Sequence, residues 1–531
     1  MEKKAPASLP LPTPRGKRKD DALFSPTFSS AFGKDADAGM DVEEEESQVN
    51  DNLPPRTKVI CTIGPASQSK QMMAKMIAAG MNVVRLNFSH GDYKYHGESL
   101  QNLREVMTET RRICAVMLDT KGPEIRTGAV AGGKEIQLMK GQEFSLVTDE
   151  TVVGDQTKVA VQYKNIVKVL SVGDTVLVDD GLISLTVLEV KISEGVLRCK
   201  VNNTGMLGSS KGVNLPGTAV DLPAVTDKDK SDIKWAVTHG LDFIAASFVR
   251  KAEDVLTIRE VLGEEGKGIK IIAKIESQEG LDNFDSILAV SDAIMVARGD
   301  LGVEIPIEQV SLAQKMMIRK CNLAGKPVIT ATQMLESMVK NPSPTRAEAS
   351  DVANAVLDGT DCVMLSGETA KGNYPVEAVK IMADICREAE ASTNYRHIHR
   401  MLRDQLKGVP SVPEAIASSA VSTAFDLRAA LLIVLTSTGS TARMVAKFRP
   451  NSMVLTVTSS EQTARQSLVS SGLFPLLVGG MSGSETLINH VVKTARKHGM
   501  CKIGDLVVIT SGQLEGVSGS TNHLSVQKVE S

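Results

Sequence analysis

Lys274 and Glu276 stand two residues apart in one apolar run, and Asp300 closes the next such run in Arg298-Gly299-Asp300. Side chains two apart on a strand point to the same face, so the lysine and glutamate share one side of a strand end. Two carboxylates from neighbouring strand ends, completed by substrate oxygens and water, can hold Mg²⁺. Taken singly, the same residues read as an ion pair and a loop aspartate. A second alternation sets Arg85, Asn87 and Ser89 on one face. A guanidinium there suits a phosphate bidentately. Asn87 and Ser89, with Asp119 and Thr120 from another run end, would make an oxygen cage for a weakly held cation. A hydrogen-bonded interior layer fits that spacing equally well.

Three further strings have chemical uses and plainer ones. Asp119-Thr-Lys-Gly-Pro-Glu-Ile-Arg126 is dense in charge, and a solvated turn accounts for Glu124 by itself. Thr332 ends a run where a helix is expected to open, so its hydroxyl either caps that helix or relays a proton. Ser437, Thr438, Gly439, Ser440 and Thr441 follow a buried run and precede an amphipathic segment. Small hydroxyl and glycine residues at a helix start either cradle a phosphate or serve as a simple cap.

These residues cluster at the ends of eight short apolar runs: 58–64, 82–91, 115–122, 242–249, 269–277, 293–300, 327–333 and 362–368. The last of them ends in Glu368. Each run is rich in Val, Ile, Met and Ala without clean alternation, as expected of parallel strands buried on both faces. Helical stretches separate most of them, so the order reads as repeated β–α units. Eight such units close into a barrel that does its chemistry at the C-terminal ends of the strands.

The predicted fold is therefore α/β, a (β/α)8 barrel with an inserted small β-barrel domain and a C-terminal open α/β sheet domain. Residues 1–53, with a basic run at 15–19 and an acidic one at 43–46, read as a disordered extension. The barrel takes 54–121 and 222–391. Between them, 122–221 alternates β-branched residues with turns such as Gly173-Asp174 and Asp180-Gly181, an all-β insertion placed to act as a lid. Residues 392–531 contain buried strands expected at 430–436, 453–458 and 505–510, the pattern of an open α/β sheet.

Composition narrows the partners. With 42% hydrophobic and 23% charged residues and a net charge of −3, nothing favours nucleic acid or an anionic membrane. Aromatics at 3% also argue against platforms that stack single strands. Seven cysteines, an odd number with no C-x-x-C, suit the reducing cytoplasm. No apolar run approaches the roughly 18 residues that cross a bilayer. No P-loop, H-E-x-x-H or G-x-G-x-x-G string occurs, so any nucleotide is bound by other means.

Taken in order, several strings resemble the motifs of the pyruvate kinase family. They are Thr57-Lys-Val-Ile-Cys-Thr-Ile-Gly-Pro-Ala-Ser67, Met117-Leu-Asp-Thr-Lys-Gly-Pro-Glu-Ile-Arg126, Lys274-Ile-Glu276, Val296-Ala-Arg-Gly-Asp300, Ala331-Thr-Gln-Met-Leu-Glu-Ser337 and Arg346-Ala-Glu-Ala-Ser-Asp351. The resemblance implies phosphoryl transfer from phosphoenolpyruvate to ADP, with Mg²⁺ (or Mn²⁺) and K⁺, in a homotetramer under sugar phosphate control. It assigns Mg²⁺ to Glu276 and Asp300, and K⁺ to Asn87, Ser89, Asp119 and Thr120. Lys274 would stabilise the transferring phosphoryl group and the enolate, and Arg85 would hold the phosphate. Backbone N–H groups around Gly299 and Asp300 would receive the substrate carboxylate, and Thr332 would stand on the face of the enolate that is protonated. Arg126 and Lys211 would meet the nucleotide phosphates, with Pro65, Asn87, His90 and Tyr95 beside them.

Two departures refine the expectation. Relatives activated by a sugar bisphosphate resemble one another in carrying Trp or Arg in a late loop, but here residues 511–519 contain no cation. The effector cradled by 437–441 is therefore expected to carry one phosphate. Glu124 stands where relatives that need no K⁺ have Lys, so K⁺ is expected to be required. A pyruvate-type aldolase would share the Mg²⁺-bound enolate but would not need Lys211 or a nucleotide lid. A non-catalytic binding role would require loss of the site.

Overall fold

The structure, a computed structural model, describes residues 54–218, 220–406, 408–481, 484–512 and 521–530. The expected disordered extension therefore lies outside the described residues. Eight parallel strands close a barrel: Lys58–Thr62, Met81–Asn87, Ala115–Asp119, Phe243–Ala246, Lys270–Ile275, Ala293–Ala297, Val328–Ala331 and Cys362–Leu365. Seven of them show no polar alternation because both faces are buried, while Met81–Asn87 alternates toward its C-terminal end, where Arg85 and Asn87 are half-buried. Ile60, Val83, Met117, Phe243, Ile272, Met295, Ile329 and Met364 fill the interior. Val59, Val84, Leu118, Ile244, Ile271 and Val296 pack outward in the larger core beneath the helices. Each strand is shorter than its apolar run. The last residues of each run leave the ladder and become the loops and first helical turns at the mouth.

The opposite end of the barrel is closed from the C-terminal region. Leu468 and Val469 join the interior cluster. Arg465 Nε donates to both carboxylate oxygens of Asp242 at 2.9 and 3.1 Å, and Arg449 Nη1 donates to Asp361 at 2.9 Å. Each aspartate precedes a barrel strand and also accepts an N–H at the start of a neighbouring strand, from Val116, the second residue of its strand, or Val328, the first of its own. Burying these carboxylates is tolerable because each is met by an arginine and a backbone donor.

The insertion builds a six-stranded and a two-stranded sheet around its own core, which includes Phe144, Leu146, Val176, Leu185 and Leu197. One helical turn, Ile166–Val169, interrupts the strands. Among the described residues the C-terminal sheet has five strands in the order Leu473–Leu477, Met453–Thr458, Leu431–Leu435, Leu506–Gly512 and Thr521–Lys528. Its two edge strands are not legible from periodicity. Pro475 breaks the apolar signal of one, a position an edge tolerates. The other, antiparallel strand is mostly polar and largely exposed.

Candidate active site

Lys274 is the hub of the barrel mouth. Its Nζ lies 3.0 Å from Glu276 Oε1 and 3.2 Å from Asp119 Oδ1, and it donates to Ser247 Oγ at 2.7 Å. Burial by itself would push the ammonium's pKa down. Asp119 and Glu276 outweigh that and hold it above the ordinary lysine value, so the group stays charged. Burial likewise opposes ionisation of Asp119, yet Arg85 and Lys274 together bring its pKa below the usual carboxylate range. Glu276 is the exception. Burial first, and the nearby Asp300 charge, push it up to about 7 against the pull of Lys274.

Arg85 donates from Nε to Asp119 Oδ2 at 2.6 Å and from Nη1 to Thr62 Oγ1 at 3.0 Å. These bonds fix the guanidinium plane and the direction of its fork. Asn87 is in register with Asp119 on the adjoining strand, and its Oδ1 accepts the N–H of Ser89 at 3.1 Å. Thr120 follows at once. The four oxygen-bearing residues of the expected cation cage thus stand on two adjacent strand ends.

Two residues missed in the sequence tie these charges together. Ser247 donates from Oγ to Thr120 O at 2.7 Å while meeting Lys274 Nζ and Asp119 Oδ1. Phe248 donates its backbone N–H to Glu276 Oε2 at 2.5 Å. It does so from a left-handed backbone, φ 55°, which costs energy for a bulky residue. Both belong to the string Ala-Ala-Ser-Phe at the end of an apolar run, where position at a barrel strand end was the only available signal.

Asp300 lies in the first turn of the short helix Arg298–Glu304, directly after the sixth strand. The Gly299 N–H donates to Thr332 Oγ1 at 2.7 Å. Any other acceptor reaching the Gly299 N–H therefore has to displace the Thr332 hydroxyl. Thr332 caps no helix, which corrects the expectation that a helix opens there. It and Gln333 both have positive φ, and the following 3₁₀ turn starts only at Glu336. Arg298 holds the strained pair in place through Thr332 O at 2.8 Å and is itself anchored on Asp351 at 2.8 Å. Glu368, also at a strand end, spends its buried carboxylate on the N–H groups of Leu335 and Ser366. It braces the mouth from within.

The insertion faces this end across a cavity of about 720 Å³ whose wall includes Arg126, Lys211, Asp180, Asp300 and Glu304. Asn214 Nδ2 donates to Glu304 Oε1 at 2.8 Å, so the insertion touches the barrel directly. Arg126 pairs with Glu124 at 2.7 Å through Nε, and Lys211 with Asp179 at 2.9 Å. Pro65, His90 and Tyr95 are not in that wall. They sit on the loops and helix start that follow the first and second strands. Among the described residues no three His, Cys, Asp or Glu side chains form a complete metal cage. Glu276 and Asp300 could supply two carboxylates to a hard cation that keeps substrate oxygens and water in its shell.

The expected phosphate cradle opens the helix Ser440–Lys447, with Gly439 in the left-handed conformation as its N-cap. Gly439 N–H donates to Thr436 Oγ1 at 3.0 Å, and Thr463 Oγ1 donates to Ser437 O at 2.9 Å. The loop expected to face it lies outside the described residues from 513 to 519.

Comparison with known proteins bears on both parts of the chain. The family model described as "Pyruvate kinase, barrel domain" matches residues 54–379, and "Pyruvate kinase, alpha/beta domain" matches 414–527. A pyruvate kinase of Dictyostelium discoideum is 53% identical over 478 residues, covering 89% of this chain and 94% of that protein. A cytosolic isozyme of Glycine max is 51% identical over 496 residues, covering 89% and 96%. Among solved structures, a pyruvate kinase from Cryptosporidium parvum superposes with a TM-score of 0.86 at 43% identity, covering 90% of this chain and 96% of that one.

Proposed function

This chain belongs to the pyruvate kinase family and transfers the phosphoryl group of phosphoenolpyruvate to ADP, and from that premise we propose how its residues divide the work. The observation that carries the reading is Lys274, charged and buried between Glu276 and Asp119 at the barrel mouth. Arg85 orients the phosphate, and Lys274 neutralises charge on the transferring phosphoryl group and on the developing enolate. Glu276 and Asp300 hold Mg²⁺, for which Mn²⁺ can substitute, and Asn87, Ser89, Asp119 and Thr120 hold K⁺. When bound, these ions supply positive charge beside the reacting oxygens. Arg126 and Lys211 reach the nucleotide phosphates from the lid, with Pro65, Asn87, His90 and Tyr95 on the barrel rim. Thr332 stands where a proton reaches the enolate through water. Formation of ATP from phosphoenolpyruvate and ADP by the purified protein tests the whole reading. Pyruvate-type aldol cleavage without ATP formation would replace it.

Glu124 accepts from Arg126, so position 124 offers no ammonium that could stand in for a monovalent ion. Activity in tetramethylammonium buffer free of Na⁺ and K⁺ should be low and recover on adding KCl. Full activity without any monovalent metal would refute the K⁺ assignment.

A single phosphate is proposed for the effector cradle 437–441, where hydroxyls and the helix start favour an anion. The family resemblance would have a second phosphate meet residues 513–519, which lie outside the described residues and whose only charged side chain is Glu515. A dianion beside a carboxylate is disfavoured. Glucose 6-phosphate should therefore lower the half-saturating phosphoenolpyruvate concentration by about five- to a hundredfold. Activation by fructose 1,6-bisphosphate at a lower concentration than any monophosphate would overturn this.

Cytoplasmic residence is supported by seven cysteines that are all free and buried. The family resemblance implies a homotetramer, and the helix Ile307–Ala324 leaves Ile307 and Leu312 exposed for such a contact. A solution mass of one chain would exclude it. The division at 121/122 and 221/222 is supported by barrel contacts made on both sides of the insertion, at Gly122 and Leu222.

A further inference from the structure

Both connections of the lid rest on one short loop, and that loop also holds the reaction's charges. Residues 247–250 join the strand Phe243–Ala246 to the helix Ala252–Leu262. Ser247 binds Lys274 and Phe248 binds Glu276 through the contacts already given. The segment entering the lid packs on the same two residues. Gly122 has φ 71°, and a Cβ there would come within 2.8 Å of Ser247 Cβ and 3.2 Å of Phe248 Cδ2. Its N–H is pinned to Asp229 Oδ1 at 3.1 Å. The segment leaving the lid hangs on Arg250, whose Nη1 and Nη2 donate to Val220 O at 2.6 Å and Leu222 O at 2.5 Å.

Arg250 is built for this one task. It is only 6% exposed, and among the described residues no carboxylate pairs with its guanidinium. Its Nε is buried without a partner. Its backbone is held at both ends, N–H to Asp254 Oδ2 at 2.8 Å and carbonyl from Asn283 Nδ2 at 3.0 Å. A buried guanidinium that spends its fork on two carbonyls of another segment is a mechanical tie. Displacement of either hinge segment acts on a loop two residues from the donor to Glu276.

We propose that loop 247–250 couples lid position to the phosphoryl-transfer site, with Arg250 as the positioning residue on the outgoing hinge and Gly122 as the contact on the incoming one. The inference rests on the reading that Lys274 and Glu276 serve the reaction and that Arg126 and Lys211 serve the nucleotide. It predicts reciprocal coupling. Nucleotide bound to the lid tightens phosphoenolpyruvate at the mouth, and phosphoenolpyruvate tightens the nucleotide by the same factor.

The test is an initial-rate grid over both substrates for the wild type, Arg250→Ala, Arg250→Lys and Gly122→Ala, with a thermal melt of each. In the wild type each substrate should tighten the other by at least about fivefold. In Arg250→Ala that factor should fall to about one while phosphoenolpyruvate binding in the absence of nucleotide stays within about twofold. Arg250→Lys, which reaches one carbonyl but not both, should be intermediate. Gly122→Ala should lower the factor from the other side and decides the matter should Arg250→Ala fail to fold. A wild-type factor of about one overturns the proposal, as does an unchanged factor in a folded Arg250→Ala or Gly122→Ala protein. A lowered melting point with unchanged coupling marks Arg250 as merely structural and also overturns it. Arg126→Met, measured alongside, tests the lid's nucleotide role separately. An unchanged KM for ADP in that variant removes the underlying reading but not the measured coupling.

Discussion

Lys274→Met should lower turnover by about 10²–10³-fold, with a smaller change in the KM for phosphoenolpyruvate. The ammonium is held ready, with Asp119 and Glu276 on either side and Ser247 Oγ at 2.7 Å, so no reorganisation is needed as charge develops. Methionine keeps the volume and removes only the charge and its donors. The variant should also be less stable. Loss of one partner from a buried ion pair costs up to about 3–5 kcal/mol when the other charge stays behind, and less here because Glu276, already pushed up to about 7, can take up a proton in place of the lost ammonium. Arg85 still pairs with Asp119 at 2.6 Å, so the main orphan is Glu276, and added Mg²⁺ should recover part of the lost melting temperature. Turnover within about tenfold of wild type in a folded Lys274→Met protein would contradict the assigned role.

Glu276→Gln and Asp300→Asn should each reduce activity by at least about a hundredfold even at saturating Mg²⁺. The amides keep the shape and remove a charge that a hard cation requires. Glu276 adds a pH signature. Burial, reinforced by Asp300, pushes its pKa up to about 7, so the metal-free folded protein holds this proton more tightly than the unfolded chain does. A raised carboxyl stabilises the fold fully at low pH and loses that contribution as pH rises from the ordinary carboxylate range through about 7. Mg²⁺ binding must expel the same proton. Its affinity should therefore climb as pH rises, by up to about tenfold per unit, and level off above neutrality. Titration of Mg²⁺ across that range should show the slope in the wild type and none in Glu276→Gln. Near-normal turnover in either variant, or a flat affinity in the wild type, would remove these two residues as the metal ligands.

The barrel was legible because burial on both faces leaves runs without clean alternation, and eight of them, most separated by helical stretches, admit few other closures. Lys274, Glu276, Asp300, Arg85 and Asp119 were legible for a related reason. Charged residues at the ends of buried strands are costly unless they are paired or used, so their positions announce themselves in a linear text. The insertion and the open C-terminal sheet were readable as fold types. The C-terminal sheet's edge strands were not, since Leu473–Leu477 contains a proline and Thr521–Lys528 is polar.

What only the tertiary structure decided is which groups hold these charges in place. Ser247, Phe248, Arg250 and Arg298 act through backbone N–H groups, carbonyls or a hydroxyl brought from distant parts of the chain. Phe248 reaches Glu276 across 28 residues and Arg298 reaches Thr332 across 34. Such bonds depend on positive φ at Phe248, Thr332 and Gln333, a conformation that side-chain type does not advertise outside glycine. Thr332 shows the limit most plainly. A threonine at the end of an apolar run has the composition of a helix cap, and only the path of the following chain turns its hydroxyl to the N–H of Gly299 instead. Local composition determined where the charges lie along the chain. The closure of the barrel, which brings neighbouring strand ends within hydrogen-bonding distance, decided what each of them touches.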